Sequence, residues 1–512
     1  MLYYYSFIAL LVAFVVHHVL RRRNAPPLPP GPPGLPIIGN WFEIPEKDEW
    51  VWYLALSQRY NSDIISLRLL NETVIVLNSM RSAQDLLETR SAIYSDRPAF
   101  RMLNDLVGFT WHLAFMPYNH TWKAYRKMFT QEFLPSQIAV HRPIELHAAH
   151  VLLQGLLESP DAYERHLRHM AAMVILTTAY GIDVKPQDDP HVDISTEALH
   201  VMALTGNRGS YLVDFLPILQ HIPGWLPGAR FLRDAREWSR CVTSMPRVPF
   251  EAAKKRWAAG DLQPCIASRV LDEIQELPED QRQREEGVLR DVLSAGYAAG
   301  ADTTVSTLAS FILAMALYPE VQTKAQAAVD RVVGRHRLPT FDDQVTYVDA
   351  LLREALRWHP VTPLAIVHAT TAADTYNGYH IPAGASVIGN SWAILREEAV
   401  YGAHTEQFIP ERWLNPDGSL NPAIPEPTPA FGFGRRVCPG KDMAQWSVWI
   451  CMISILATFD IRKPVDEQGR EIQPSEEYTS GLVSYPVLQK FRFIPRSADV
   501  RSLVQYEIGV SG

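Results

Sequence analysis

Between Asp291 and Tyr318 runs the longest apolar helical pattern of the chain, and it stops at Pro319, which cannot continue a helix. A helix that is apolar all round asks to be buried. At 512 residues the chain is long enough to bury it in a large core. Inside the pattern, "AGYAAGADTTVS" sets Gly296, Gly300, Asp302, Thr303 and Thr304, all poor choices for a buried helix centre. An acid there is costly unless it is paired or used. The segment reads two ways: a kinked helix whose Asp302 is satisfied by local backbone groups, or a working site.

From about residue 47 helical patterns dominate, with proline-rich breaks and a few strand-like runs, so the fold class is mainly α with small β-sheets. "IISLRLLNETVIVLN" (64–78) predicts a hairpin by its alternating aliphatics around "NE". The charged stretch 255–290 predicts a surface loop flanking a helix. There is no internal repeat.

Residues 2–20 carry no acid, Lys or Arg and lead into Arg21, Arg22 and Arg23. A cleaved signal peptide should begin basic and end at small residues, and this segment does neither. It reads as an uncleaved transmembrane anchor, just long enough for a thin bilayer such as the endoplasmic reticulum, with the arginines keeping the body cytosolic. Residues 21–46 follow as a basic, proline-rich hinge with seven prolines between Pro26 and Pro36, a semi-rigid spacer. Residues 47–512 read as a single large domain. A net charge of −8 argues against nucleic acid as a partner. Four cysteines without a CxxC do not make a disulfide framework, which fits a reducing compartment.

One of those cysteines, Cys438, lies in "PAFGFGRRVCPGKDMAQW", just before another apolar helical pattern. A helix amino terminus and backbone N–H groups stabilise a thiolate, Gly434 permits a tight turn, and Phe431 can cover the sulfur. Zinc would need about four ligands and finds none nearby. A c-type heme would need Cys-x-x-Cys-His. A nucleophilic cysteine needs a His base, and the segment holds none, although a distant one stays open. A single thiolate among cations fits axial ligation of a heme iron, with arginines on its propionates. Three weaker patterns accompany it: Trp122 and Arg126 one helical turn apart, Glu354 and Arg357 at i, i+3, and Arg412 in a turn-like "FIPERWL". Glu237/Arg240 and Trp392/Arg396 repeat two of these spacings, which reads as chance.

"FGFGRRVCPG" resembles the heme-binding signature of the cytochrome P-450 monooxygenases, Phe-x-x-Gly-x-Arg-x-Cys-x-Gly, at Phe431, Gly434, Arg436, Cys438 and Gly440. The weaker patterns fall in that family's order, and anchor and hinge resemble those of its membrane-bound fungal members of secondary metabolism, as do "YSDRPAF" and "HATTAADTYNGYHIPAG". The resemblance implies the cytochrome P-450 fold and heme b held by Cys438 as the metal ligand. It implies Asp302 and Thr303 as the acid–alcohol pair that delivers protons, and Glu354, Arg357 and Arg412 as a structural triad. Trp122, Arg126 and Arg436 become propionate partners, with His368 standing where relatives often place an arginine. Electrons would come from NADPH through a separate cytochrome P-450 reductase, with cytochrome b5 as an optional second donor. Arg435, Lys441, Lys123 and Lys127 are the candidate docking patch.

The family's substrate-contact regions carry Leu103, Leu106, Val107, Phe109, Leu113, Ala299, Leu364, Ile366, Leu482 and Val483 onto the pocket. Arg101 and Asp105 would favour a polar handle if they pointed inward. The expected substrate is a small neutral apolar molecule, a terpenoid first and an aromatic polyketide or xenobiotic second. A heme sensor or carrier without oxygen chemistry is the reading of a different class, and a family isomerase a third; the Asp302–Thr303 pair speaks against both.

Overall fold

The computed structural model describes residues 26–207 and 209–511. The expected anchor, residues 2–20, lies outside the described residues.

The central apolar pattern is a helix, α8 (Glu279–Leu317), that begins well before Asp291. Its first turns, "EDQRQREEGVLR", lack an apolar period but are mostly Glu, Gln and Arg, good helix formers, with Glu279 and Asp280 at the positive end of the helix dipole. At about 1.5 Å per residue it runs roughly 58 Å, and from Leu289 to Ala316 it is buried at almost every position. Around it pack α2 (His120–Glu132), α4 (Tyr163–Tyr180), α6 (Arg230–Ala258), α7 (Ile266–Ile274) and α11 (Lys441–Thr458). Among the described residues α8 is the one helix long and apolar enough to cross a membrane, and it is core. The stretch 255–290 is therefore not a loop: it is the end of α6, all of α7 and the start of α8, joined by short turns. The Cys265 sulfur caps α7, accepting from the Ser268 N–H at 3.4 Å.

The expected hairpin is present. Strand β1 (Ile64–Leu69) pairs antiparallel with β2 (Glu72–Leu77), Ile64 opposite Leu77. The turn falls at Leu70–Asn71, one residue earlier than the sequence suggests, with Leu70 in the left-handed region. A four-stranded sheet, β1-β2-β6-β3, adds β6 (Ser386–Gly389) parallel to β2 and β3 (His368–Ala369) antiparallel to β6. Val74 to Leu77 are all buried because both faces are covered: Ile75 and Leu77 join one apolar cluster, Val74 and Val76 the other. The pairs β4 (Asp374–Tyr376) with β5 (Tyr379–Ile381), and β7 (Phe459–Arg462) with β8 (Arg492–Pro495), complete the strands of the described residues. The proline-rich hinge is laid along the body: Pro30 O accepts the Ser66 N–H at 2.9 Å, Pro29 O the Ser66 hydroxyl at 2.5 Å, and Pro27 O the His380 N–H at 2.7 Å.

Candidate active site

Below α8 the chain runs from the end of β6 through a turn-rich segment to α11, whose N-cap is Gly440. Gly434 sits at φ +53, and a Cβ there would lie 2.1 Å from the Leu87 carbonyl oxygen, so only glycine fits. That approach fixes the loop, and the Cys438 N–H donates to the Phe431 carbonyl at 2.8 Å. Burial pushes the Cys438 thiol up, while the Gly440 N–H and the Arg126 charge pull it back.

The cavity between this loop and α8 brings together Phe431, Arg436, Cys438 and Gly440 with Trp122 and Arg126 of α2, Ala299, Asp302 and Thr303 of α8, and His368 of β3. Gly434 stands behind it. The Arg436 guanidinium lies 4.3 Å over the Trp122 ring and donates to the Ser95 and Met116 carbonyls at 2.8 Å. Arg126 Nη1 donates to the Val437 carbonyl at 2.6 Å.

Arg97, which sequence reasoning missed, joins them. It is buried, lines the cavity and donates to the Ala114, Ile366 and Val367 carbonyls. A lone arginine before a proline carries no periodic signal, and its partners are up to 270 residues away. None of these three arginines is ion-paired among the described residues. Burial lowers all three pKa values, Arg436 to about 10, and like charge on Arg97 and Arg436 adds to it. Two buried cations and half-buried Arg126, all facing one cavity, call for an anion there. The two propionates of a heme meet that need, with a thiol on the same wall for its iron.

His368 lies on the same wall, beside Arg97 and Arg436. Burial, then the charges of Arg97 and Arg436, push it well below the usual imidazole range. Its Nδ1 lies 2.7 Å from the Tyr94 carbonyl, which can only accept. Nδ1 spends its proton there, so Nε2 would donate to a propionate carboxylate only with the ring doubly protonated.

On the other wall, Thr303 donates its hydroxyl to the Ala299 carbonyl at 2.8 Å. The Asp302 carboxylate is not held by local backbone; it accepts from Arg168 Nη1 of α4 at 2.8 Å. Arg168 also holds Glu164 at 3.0 Å, and although burial alone would lower its pKa, Asp302 raises it overall. This partner lies 134 residues away and has no local signal.

Glu354 and Arg357 of α10 (Thr346–Trp358) are fully buried, away from the cavity wall. Glu354 accepts from Arg357 Nε at 2.8 Å and from Arg412 Nε at 3.1 Å, so the three expected partners meet.

The pocket wall differs from expectation. Leu113, Ala299, Ile366, Leu482 and Val483 line the cavity; Leu103, Leu106, Val107, Phe109 and Leu364 do not. Residues Arg101–Val107 form a π-helical turn that packs on α6, which consumes its apolar face. Arg101 and Asp105 pair with each other at 2.7 Å on its half-exposed side. Leu364 precedes Ala365, whose φ of +50 turns the chain, and packs on the β1–β2 cluster instead. In their place Met170, Val174 and Ile175 of α4 and Leu199 and Met202 of α5 (Pro190–Thr205) supply apolar wall.

Outside, Lys123 and Lys127 are exposed on α2. Exposed Arg435 donates to the Tyr118 hydroxyl at 2.7 Å, and Lys123 lies 5.3 Å over the same ring. Lys441 is partly neutralised by Asp442 at 2.9 Å.

The sequence model of the family described as Cytochrome P450 matches residues 29–492. A cytochrome P450 monooxygenase of Armillaria gallica is 40% identical over 500 residues, 97% of each chain. One from Postia placenta is 41% identical over 498 residues, 96% of this chain and 95% of its own. A tryptamine 4-monooxygenase of Psilocybe cyanescens is 37% identical over 500 residues, 96% and 98% of the two chains. With a thiol and three arginines that lack an ion pair around one cavity, these matches close the question: the chain belongs to the cytochrome P450 family, heme-thiolate monooxygenases that incorporate one oxygen atom into their substrates.

Proposed function

We propose that the enzyme hydroxylates or otherwise oxidises a neutral, bulky aliphatic secondary metabolite, with a terpenoid as the first expectation. The observation that carries this is the charge inventory of the cavity. Arg97, Arg126 and Arg436 face the propionate side, and Asp302 is already paired with Arg168. No charge is left over for a charged ligand, and burying one unpaired would be costly. The aliphatic wall instead returns roughly 25 cal/mol per Å² of apolar surface.

Heme b, when bound, supplies the oxygen-activating chemistry. Cys438 would be its axial ligand, with Trp122 and the arginines on the propionate side. Thr303 and Asp302 would hold and pass protons, Thr303 by turning its hydroxyl from the Ala299 carbonyl and Asp302 by loosening from Arg168. Electrons would come from an NADPH–cytochrome P-450 reductase, or cytochrome b5, docked where Arg435 and Lys123 flank Tyr118, with exposed Lys127 one turn further along α2. The apolar substrate and residues 2–20 together favour the endoplasmic reticulum membrane.

The test is a titration following the low-to-high-spin shift of the ferric heme. Neutral sesquiterpenes should produce it, and small organic ions should not. The opposite pattern would refute the assignment.

A further inference from the structure

The loop from Tyr478 to Pro486 carries two wall residues, Leu482 and Val483. It is closed at its base by the Tyr478–Pro486 bridge and by the Thr479 N–H on the Tyr485 carbonyl at 2.8 Å. Three hydrogen bonds tie it to α8. The Tyr485 hydroxyl donates to the Asp302 carbonyl at 3.3 Å, the Ser306 hydroxyl to the Ser484 carbonyl at 2.5 Å, and the Tyr478 hydroxyl to Ser310 Oγ at 3.1 Å. Positions 302, 306 and 310 recur every four residues, so they form one ridge of the helix. It is a polar ridge, buried, in the most apolar helix of the chain.

The tip of the loop has little room. A Cβ on Gly206, at the end of α5, would come within 2.7 Å of Leu482 Cδ2. The ring of Tyr485 lies 5.7 Å from the Arg168 guanidinium that holds the Asp302 carboxylate. Tyr485 therefore meets Asp302 twice, directly at its carbonyl and through Arg168 at its carboxylate.

We infer that Tyr485 is a positioning residue, which fixes the wall at Leu482 and Val483 to the helix turn bearing Asp302 and Thr303. The wall and the oxygen site then keep one spacing, and that spacing sets how large a molecule fits between them. The inference rests on the cavity being the monooxygenase pocket.

The test uses the ferric holoenzyme and two nitrogen ligands of the heme iron, read by the Soret shift. Imidazole occupies only the space at the iron, whereas 4-phenylimidazole reaches toward the wall. Tyr485→Phe keeps the ring beside Arg168 and removes the hydroxyl. It should bind imidazole within twofold of the wild type and 4-phenylimidazole at least threefold more tightly, because a freed loop yields. Ser306→Ala, which cuts the neighbouring tie, should shift the ratio in the same direction and carries the test if the tyrosine variant does not load heme. Equal factors for the two ligands, or no change in either, would overturn the inference and leave the pocket reading standing. No Soret shift with 4-phenylimidazole in the wild type would overturn the pocket reading and the inference together.

Discussion

Replacing Glu354 by glutamine would take a negative charge away from five donors at once. Its carboxylate accepts from Arg357 Nε and Nη2 at 2.8 and 2.9 Å, Arg412 Nε at 3.1 Å, Trp413 Nε1 at 3.0 Å and the Ile409 N–H at 2.8 Å. Glu354 and Arg357 are both 0% exposed. The amide would turn an NH₂ toward these donors and leave the Arg357 charge buried beside it. Each charge-assisted hydrogen bond is worth about 1.5–3 kcal/mol, but they form one network and do not add. Breaking a buried pair from one side costs about 3–5 kcal/mol. Arg357 keeps the Leu395, Thr405 and Gln407 carbonyls, which argues for the middle of that range, about 4 kcal/mol. That is a large part of a total stability of roughly 5–15 kcal/mol. Urea unfolding of the holoenzyme, followed by tryptophan fluorescence, measures it. Arg353→Gln is the control: its bridge to Glu426 has a partner more than half exposed and should matter by about 1 kcal/mol or less. If Glu354→Gln fell as close to the wild type as that control, the buried network would not be what holds this part of the core.

Cys438→Ser should abolish the red-shifted Soret band of the reduced carbon-monoxide complex, and Cys451→Ser, a fully buried thiol in α11, should keep it; a retained band in the first variant would sink the ligand assignment. Thr303→Ala should load heme and oxidise NADPH but release hydrogen peroxide in place of product, and unchanged coupling would make Thr303 an ordinary helix residue. Reversing Lys123 and Arg435 should slow reduction by the reductase more at low salt than at high salt, and a salt-independent rate would remove the docking patch. Burial raises the Glu145 carboxyl to about 8, against the Ser447 hydroxyl and Arg142. Its unfolded value is about 4.3, so its stabilising contribution is full below that value and lost as pH rises through about 8. Glu145→Gln should flatten the dependence of the unfolding midpoint on pH over this range, and an unchanged slope would show that another group titrates there.

The thiolate segment was legible because its requirements are local: a glycine for a close approach, an arginine, a cysteine and a helix start lie within ten residues. Glu354 with Arg357 was legible as a spacing, and Arg412 through its place in the family order. Arg97 and Arg168 were not, since each becomes meaningful only beside residues more than a hundred positions away or against a wall assembled by several elements. The pocket failed for the same reason: Leu103, Val107 and Phe109 are as apolar as a substrate wall, but α6 claims them first. Trp392/Arg396 shows the converse, a spacing dismissed as chance that places the guanidinium 4.1 Å over the indole. Charged residues without an apolar period hid the first turns of α8.

The hydrogen bonds along Pro27, Pro29 and Pro30 mean that the chain enters the body at one fixed address, beside β1 and β5. A leash of free coil would let the body tumble through most orientations, whereas a stiff, docked segment subtracts nearly all of its own length from the tether. If residues 2–20 are held in a bilayer, residues 21–25 are all that separates the docked segment from the anchor. The side of the body at β1 and β5 then stays close to the lipid plane. Lengthening the chain between Arg23 and Pro26 would let that side stand farther off and leave every contact within the body as it is.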